Sequence, residues 1–168
     1  MNVVFETLVR VILIGAGATV VMDLWGALLR RFGVPSLDLA LLGRWVGRLP
    51  RGELAHASIA KAAPVRGERA LGWAAHYGIG VAFAALLVAI TGLEWARAPS
   101  PAPAIAVGVV TVAAPLLVLQ PALGLGVASS KTPRPLFAAT KSLVTHAVFG
   151  VGLYLAAITT AALIPRPL

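Results

Sequence analysis

Apolar residues run along the chain in four long blocks, at about residues 8–29, 70–93, 104–125 and 136–164, separated by polar or proline-rich breaks. Each block supplies the roughly twenty residues that a helix needs to cross a bilayer core. Two of the breaks are short: Glu94–Pro103, closed by Pro99, Pro101 and Pro103, and Gly126–Pro135. The third break, residues 30–69, is long and polar. This pattern predicts an all-α polytopic membrane protein, one transmembrane domain over residues 1–168, with four transmembrane helices in a bundle.

The long loop carries a periodic pattern of its own. After the breaker Gly33-Val34-Pro35, Ser36 can cap a helix running to about Leu49. Leu41, Leu42, Trp45, Val46 and Leu49 fall on one face, and Arg44, Arg48 and Arg51 on another. The expectation is an amphipathic interfacial helix whose arginines contact lipid phosphates, or one that caps the mouth of the bundle.

Composition strengthens the membrane reading. The chain is 59% hydrophobic and 12% charged, against roughly 45–50% and 25% in soluble domains. Mean hydropathy is +0.91. The net charge of +8 is unevenly distributed. Arg30, Arg31, Arg44, Arg48, Arg51, Lys61, Arg66 and Arg69 in the first loop, with Lys131 and Arg134 in the third, lie on one side. Arg10, Arg97 and Arg166 lie on the other. The positive-inside bias places loops one and three in the cytoplasm and both termini outside a bacterial inner membrane. The same argument assigns the basic residues to membrane lipid as partner and to no nucleic acid. Trp95 on the outer side, and Trp25 and Trp73 nearer the inner side, suit interfacial belts. With no cysteine, disulfides and thiolate chemistry are excluded. Ala16-Gly17-Ala18 resembles a cleavage site, but Glu6 and a lone Arg10 make a poor basic leader and the apolar run continues to Leu29, so an uncleaved first span is expected.

Four strongly polar side chains interrupt the apolar blocks: Asp23, His76, Gln120 and His146. A charge at that depth costs on the order of 2.5–3.5 kcal/mol, so it should face a partner rather than lipid. Counted from the basic or loop residues at each helix end, all four lie within about 8–10 Å of the same side. Small-residue stripes accompany them: Gly15, Thr19, Asp23 and Ala27; Gly72, His76, Gly80 and Ala84; Ser142, His146, Gly150 and Tyr154. Such stripes mark close helix contact in lipid, and point Asp23, His76 and His146 toward one another. Pro115 and Pro121 should kink the third block and free the carbonyls of Thr111 and Leu117, and Pro121 should push Gln120 toward extended geometry.

One carboxylate and two imidazoles permit three readings. Asp23, His76 and His146 could hold a transition metal or haem; they could relay protons; or Asp23 could simply satisfy the histidines. No cofactor is assumed. No Ser–His–Asp set is recognisable, which argues against hydrolytic chemistry; whether the chain is an enzyme stays open, with a non-enzyme the favoured expectation. Glu53-Leu54-Ala55-His56 has the ExxH spacing of some metal sites but reads as a solvated turn, and Ser129-Ser130-Lys131-Thr132 lacks the glycines of a phosphate loop.

The segments GATVVMDLWG (Gly17–Gly26), GRW (Gly43–Trp45), LGWAAHYGIG (Leu71–Gly80), QPALGLGVASSKTP (Gln120–Pro133) and THAVFGVGLY (Thr145–Tyr154), in this order, resemble a bacterial family of small integral membrane proteins known as a domain of unknown function. The resemblance implies a four-helix inner-membrane protein and brings no activity or cofactor. The functional expectation therefore rests on the polar residues: a permease-like or proton-handling protein, with a metal- or haem-binding redox accessory and a structural or assembly subunit as alternatives. A chain this small encloses little volume, so a homo-oligomer or a membrane-complex partner is expected.

Overall fold

A computed structural model describes residues 2–164, and among these there are helices and turns but no strand. Four helical segments are long and apolar enough to cross a membrane: Val3–Arg31, Glu68–Thr91, Pro101–Ala122 and Pro135–Leu163. The tail, including Arg166, lies outside the described residues.

Each boundary has a local cause. Helix α1 (Val3–Arg31) starts where Asn2 Oδ1 accepts from the Val4 amide at 2.9 Å, and ends with Arg30 and Arg31 in its last turn, where cations suit the helix dipole. Helix α2 (Leu39–Val46) lies in the long loop. Helix α3 (Glu68–Thr91) stops at Gly92, whose φ of 81° breaks the helical register before the short α4 (Leu93–Arg97). Helix α5 (Pro101–Val110) starts on a proline, which needs no amide partner there. Helix α7 (Pro135–Leu163) starts in the same way.

The third block is interrupted, as its prolines predict. Between α5 and the short α6 (Gln120–Ala122), Ala114–Leu119 forms a π-helical segment. The Thr111 carbonyl is taken up by the Ala114 amide at 3.1 Å. Gln120 itself departs from expectation: φ −61°, ψ −45° is helical, not extended. The wider π register ahead of Pro121 makes room for its ring without forcing the preceding residue out of the helix.

Glycine and alanine set the packing. Helix α1 lies between α3 and α7, α5 rests on α7, and α3 meets α5 only lightly. A Cβ on Gly15 would stand 2.5 Å from Val81 Cα, and one on Gly80 would stand 2.0 Å from Thr19 Oγ1. A Cβ on Gly17 would meet Ala156, and one on Gly108 would stand 2.3 Å from Gly150 Cα. Backbones in near contact are how helices associate where lipid supplies no hydrophobic drive. Inside, Ile14, Ala18, Ala84, Leu87, Phe149 and Leu153 are buried.

The loop helix is shorter than expected and differently placed. It is capped by Asp38, whose Oδ1 accepts from the Ala40 amide, rather than by Ser36. It packs on α3 through a glycine pair: a Cβ on Gly43 would stand 1.7 Å from the Glu68 carbonyl oxygen, and one on Gly72 1.8 Å from that of Leu39. Its arginines serve the loop itself. Arg44 binds Glu68 through two nitrogens at 2.8 and 2.9 Å and reaches the carbonyls of Ile59, Ala60 and Ala62. The hydrogen bonds to Glu68 raise the Arg44 pKa above its ordinary value. Arg48 binds Glu53 and the Ala63 carbonyl. The expected phosphate contacts of Arg44 and Arg48 are thus replaced by internal ones, because the loop folds back over the helix. Only Arg51, at the end of a 3-10 turn, is exposed.

At the opposite end, Glu6 is fully buried and binds Arg10 Nε at 2.8 Å and Arg97 Nε and Nη2 at 2.9 and 2.6 Å. Arg10 also reaches the carbonyls of Ala96 and Ile164. Hydrogen bonds to Glu6, then Glu94, raise the Arg97 pKa above its ordinary value. Trp95, expected in an interfacial belt, is buried at this junction, with its indole N–H on the Ser100 carbonyl.

The α1–α3 contact makes a direct prediction. Gly15→Ala should lower unfolding stability in detergent by about 1–3 kcal/mol, the usual cost of overpacking. Gly78→Ala, where a Cβ meets nothing within 4 Å, should be neutral or stabilising by up to about 1 kcal/mol. Thermal unfolding followed by circular dichroism would measure both.

Candidate functional site

Asp23 and His76 meet as the stripes predicted. With Gly15 and Thr19 seated on Gly80, the next turn of α1 carries Asp23 to α3. Its Oδ1 lies 2.8 Å from His76 Nε2, and its Oδ2 accepts from the Tyr77 hydroxyl at 3.0 Å. Both carboxylate oxygens are therefore held by neighbours from one helix. Trp73 flanks the pair, its ring centroid 6.2 Å from that of His76 and 6.0 Å from that of Tyr77. The site is not sealed: the side chains of Asp23 and His76 keep 27% and 18% of their exposure.

His146 does not join them. Its Nδ1 lies 3.2 Å from Thr111 Oγ1, and its ring packs edge-on against Phe83 with centroids 6.4 Å apart. The cause is the way α7 divides its small residues. Gly152 meets Ala18 of α1, whereas Gly150 meets Ala104 and Ile105 of α5. Two residues apart, these positions point about 160° away from each other around the helix. His146 shares the Gly150 side and is drawn to α5. Gln120 forms a third group: its amide donates to Ser142 Oγ at 3.2 Å, and its Oε1 accepts from the buried Ser129 hydroxyl at 2.9 Å. The four polar residues thus split into an Asp23–His76 pair, a His146–Thr111 contact and a Gln120–Ser129–Ser142 knot.

The split removes the three-ligand face considered for Asp23, His76 and His146. Among the described residues no three His, Asp or Glu side chains stand together as a metal-holding group. The helix-packing residues fare better: Gly15, Thr19, Gly80 and Gly150 stand at close contacts, and Pro115 and Pro121 lie in the interrupted segment.

Some participants were not anticipated. Tyr77, next to His76 and facing the same carboxylate, carried no signal beyond adjacency. Thr111 enters through its hydroxyl, which donates to the Gly108 carbonyl and meets His146, whereas its place in the chain points only to its carbonyl. Glu6 and Arg10, one helical turn apart at the start of an apolar run, did carry a legible signal of an ion pair.

The chain matches the family described as "Protein of unknown function (DUF2938)" over residues 12–160, and belongs to it. No curated protein and no solved structure matches the chain. The matched region contains Asp23, His76, Tyr77, Thr111, Gln120 and His146, and omits Glu6 and Arg10.

Removing the acceptor should expose how much the seam depends on it. Asp23→Ala leaves the His76 ring and the Tyr77 hydroxyl without their partner, at a cost of about 1–3 kcal/mol, whereas Tyr77→Phe removes one neutral donor for about 0.5–1.5 kcal/mol. Denaturation midpoints in a single detergent would rank the two; a larger loss for Tyr77→Phe would contradict the arrangement.

Proposed function

We propose that the protein is a small polytopic protein of the bacterial inner membrane, permease-like, which handles protons through Asp23, His76 and Tyr77. The observation that carries the reading is the Asp23 carboxylate, in the apolar run of α1 well beyond Glu6, hydrogen-bonded to an imidazole and a phenol with its side chain 27% exposed. Ionisable groups within apolar spans are costly and mark proton and ion pathways when they are kept. The surroundings fit a bilayer: Leu24, Ile90, Val110 and Leu155 stand exposed on the outer faces of the long helices. The excess of Lys and Arg in loops one and three favours a cytoplasmic position for both loops, with the termini outside.

The chemistry follows from the two ends of one imidazole. With Asp23 ionised, His76 donates its Nε2 proton to Oδ1 and Tyr77 donates to Oδ2. A proton arriving at His76 Nδ1 forms a new N–H bond there. The Nε2 proton then crosses the 2.8 Å gap to Oδ1, breaking Nε2–H and making O–H. The products are a neutral acid and a neutral imidazole of the other tautomer, a pair cheaper to hold in a low-dielectric setting than separated charges. Loss of the carboxyl proton to an acceptor returns Asp23 to its ionised form, and the pair is reset once His76 releases its Nδ1 proton to an acceptor and takes one up at Nε2. One chain offers little enclosed volume, so a homo-oligomer would complete the path.

The test is proton flux in proteoliposomes containing a pH-sensitive dye. Wild-type protein should dissipate an imposed pH gradient faster than empty liposomes, and Asp23→Asn should abolish the effect while inserting and folding normally. Wild-type flux no greater than the lipid background, or undiminished flux in Asp23→Asn, overturns the reading. Metal analysis separates the redox alternative: stoichiometric metal lost on Asp23→Asn would favour that alternative instead.

A further inference from the structure

A cleft of about 700 Å³ lies in the long loop, apart from the Asp23–His76 pair, the His146–Thr111 contact and the Gln120 knot. Arg48, Glu53, His56, Ser58 and Lys61 contribute polar groups to its wall. Four buried side-chain polar atoms among the described residues have no hydrogen-bond partner, and three of them belong to this wall: Arg48 Nε and both ring nitrogens of His56. The fourth, Trp25 Nε1, belongs to a separate apolar crevice of about 210 Å³ between α1 and α7. Buried donors are almost always satisfied, and leaving one unpaired is costly. The two nitrogens of one imidazole point apart, so one of them together with Arg48 Nε can share a partner in this cleft.

We infer that this cleft binds a phosphate group, carried either by a soluble phosphorylated molecule of up to nucleotide size or by a phospholipid headgroup. The donor set favours an oxyanion. Arg48 spends Nη1 on Glu53 and Nη2 on the Ala63 carbonyl, which leaves Nε–H free. His56 Nε2 lies 3.6 Å from Glu53 Oε2, too far for a hydrogen bond. The His56 side chain is only 9% exposed, so its ring is held against the wall. Lys61 adds an exposed ammonium, and Ser58 a hydroxyl. Donors arriving from several directions suit a tetrahedral oxyanion better than a planar carboxylate. The one carboxylate in the wall, Glu53, is engaged by Arg48.

The cleft is built on a fixed support. The His56 amide donates to the Ala122 carbonyl at 2.9 Å, and the Ile59 amide to that of Leu123 at 3.1 Å. Gly124, at φ 89°, lets the chain pass so close to Ala57 that a Cβ there would stand 2.3 Å from its carbonyl oxygen. ExxH spacing thus carries a ligand-binding role in this chain through its histidine, with the glutamate orienting Arg48.

The experiment uses the full chain in phosphatidylcholine nanodiscs. Isothermal titration with inorganic phosphate and with adenosine monophosphate should give saturable binding, weakened at least about tenfold by His56→Leu and several-fold by Lys61→Gln. A second set of nanodiscs, doped with phosphatidylglycerol, is analysed by native mass spectrometry. Retained phosphatidylglycerol that is lost in His56→Leu, with no soluble binding, identifies the headgroup as the source. Should His56→Leu fail to fold, Lys61→Gln and Ser58→Ala decide. No saturable binding in either arm, or affinities unchanged in the variants, overturns the inference.

Discussion

Close backbone approach is the constraint on which the arrangement depends. Apolar exteriors such as those of α1, α3 and α7 gain little from burying more apolar surface against one another if lipid is their solvent. What remains is dispersion at short range and polar pairing, and both need thin helices. Gly15 on Gly80 and Val81, Gly17 on Ala156, and Gly108 on Gly150 supply the thinness. The Asp23–His76 contact is a consequence: once α1 and α3 touch at Gly15 and Gly80, their next turns cannot stand apart, and a carboxylate two turns from Gly15 must find α3. The same logic separates His146 from that pair, because Gly150 commits its side of α7 to α5.

Charge is used at the two ends of the helices rather than along them. Glu6, Arg10 and Arg97 tie α1 to α4 and to the end of α7, and Arg44 and Glu68 tie α2 to the start of α3. The buried Glu6 carboxylate depends most on Arg97, because Oε1 is shared by Arg10 and Arg97 whereas Oε2 is held by Arg97 alone, and a buried carboxylate oxygen left without a donor is costly. These ion pairs clamp the ends that close packing leaves free, and they explain why basic residues counted as signals of orientation also turn up inside hydrogen-bond networks. Orientation by charge and internal pairing are compatible uses of one arginine.

Much of this was legible in sequence because it depends on period and spacing. The four apolar blocks, the stripe from Gly15 to Asp23, the stripe from Gly72 to Ala84 and the interruption at Pro115 and Pro121 all follow from helical geometry applied to single segments. The errors arise where two segments must be oriented together. Depth along the axis put His146 level with Asp23, but depth says nothing of azimuth, and azimuth depended on which of the two glycine faces of α7, at Gly150 or Gly152, met α1. Arg44 and Arg48 were misplaced for a related reason. Amphipathicity describes what a helix face prefers, and a folded loop offering Glu53, Glu68 and free carbonyls satisfies arginine as well as phosphate does. Gln120 shows the limit of a local rule, since the π segment ahead of Pro121 relieves the crowding that the rule assumes.

The turn after the third apolar block draws these parts together. Gln120 holds α7 through Ser142 and the turn through Ser129, while its own carbonyl accepts from Leu125 and those of Ala122 and Leu123 hold the His56 loop. Ala128 and Ser129 both sit at positive φ, 49° and 62°, a conformation that costs non-glycine residues of order 1–3 kcal/mol and persists only where neighbours over-determine it. Here they do: the buried Ser129 hydroxyl is fixed on Gln120, and the Lys131 amide on the Leu125 carbonyl at 2.9 Å. The turn therefore has one shape, set from inside the helices and read on its far side by the loop that shapes the cleft. Gln120 is linked through the Ala122 and Leu123 carbonyls to the backbone of His56 and Ile59, and through Ser142 to the turn of α7 before His146. The segment QPALGLGVASSKTP is thus a joint between the apolar helices and the polar loop, and that mechanical role accounts for its glycines, its strained pair and its single buried amide side chain.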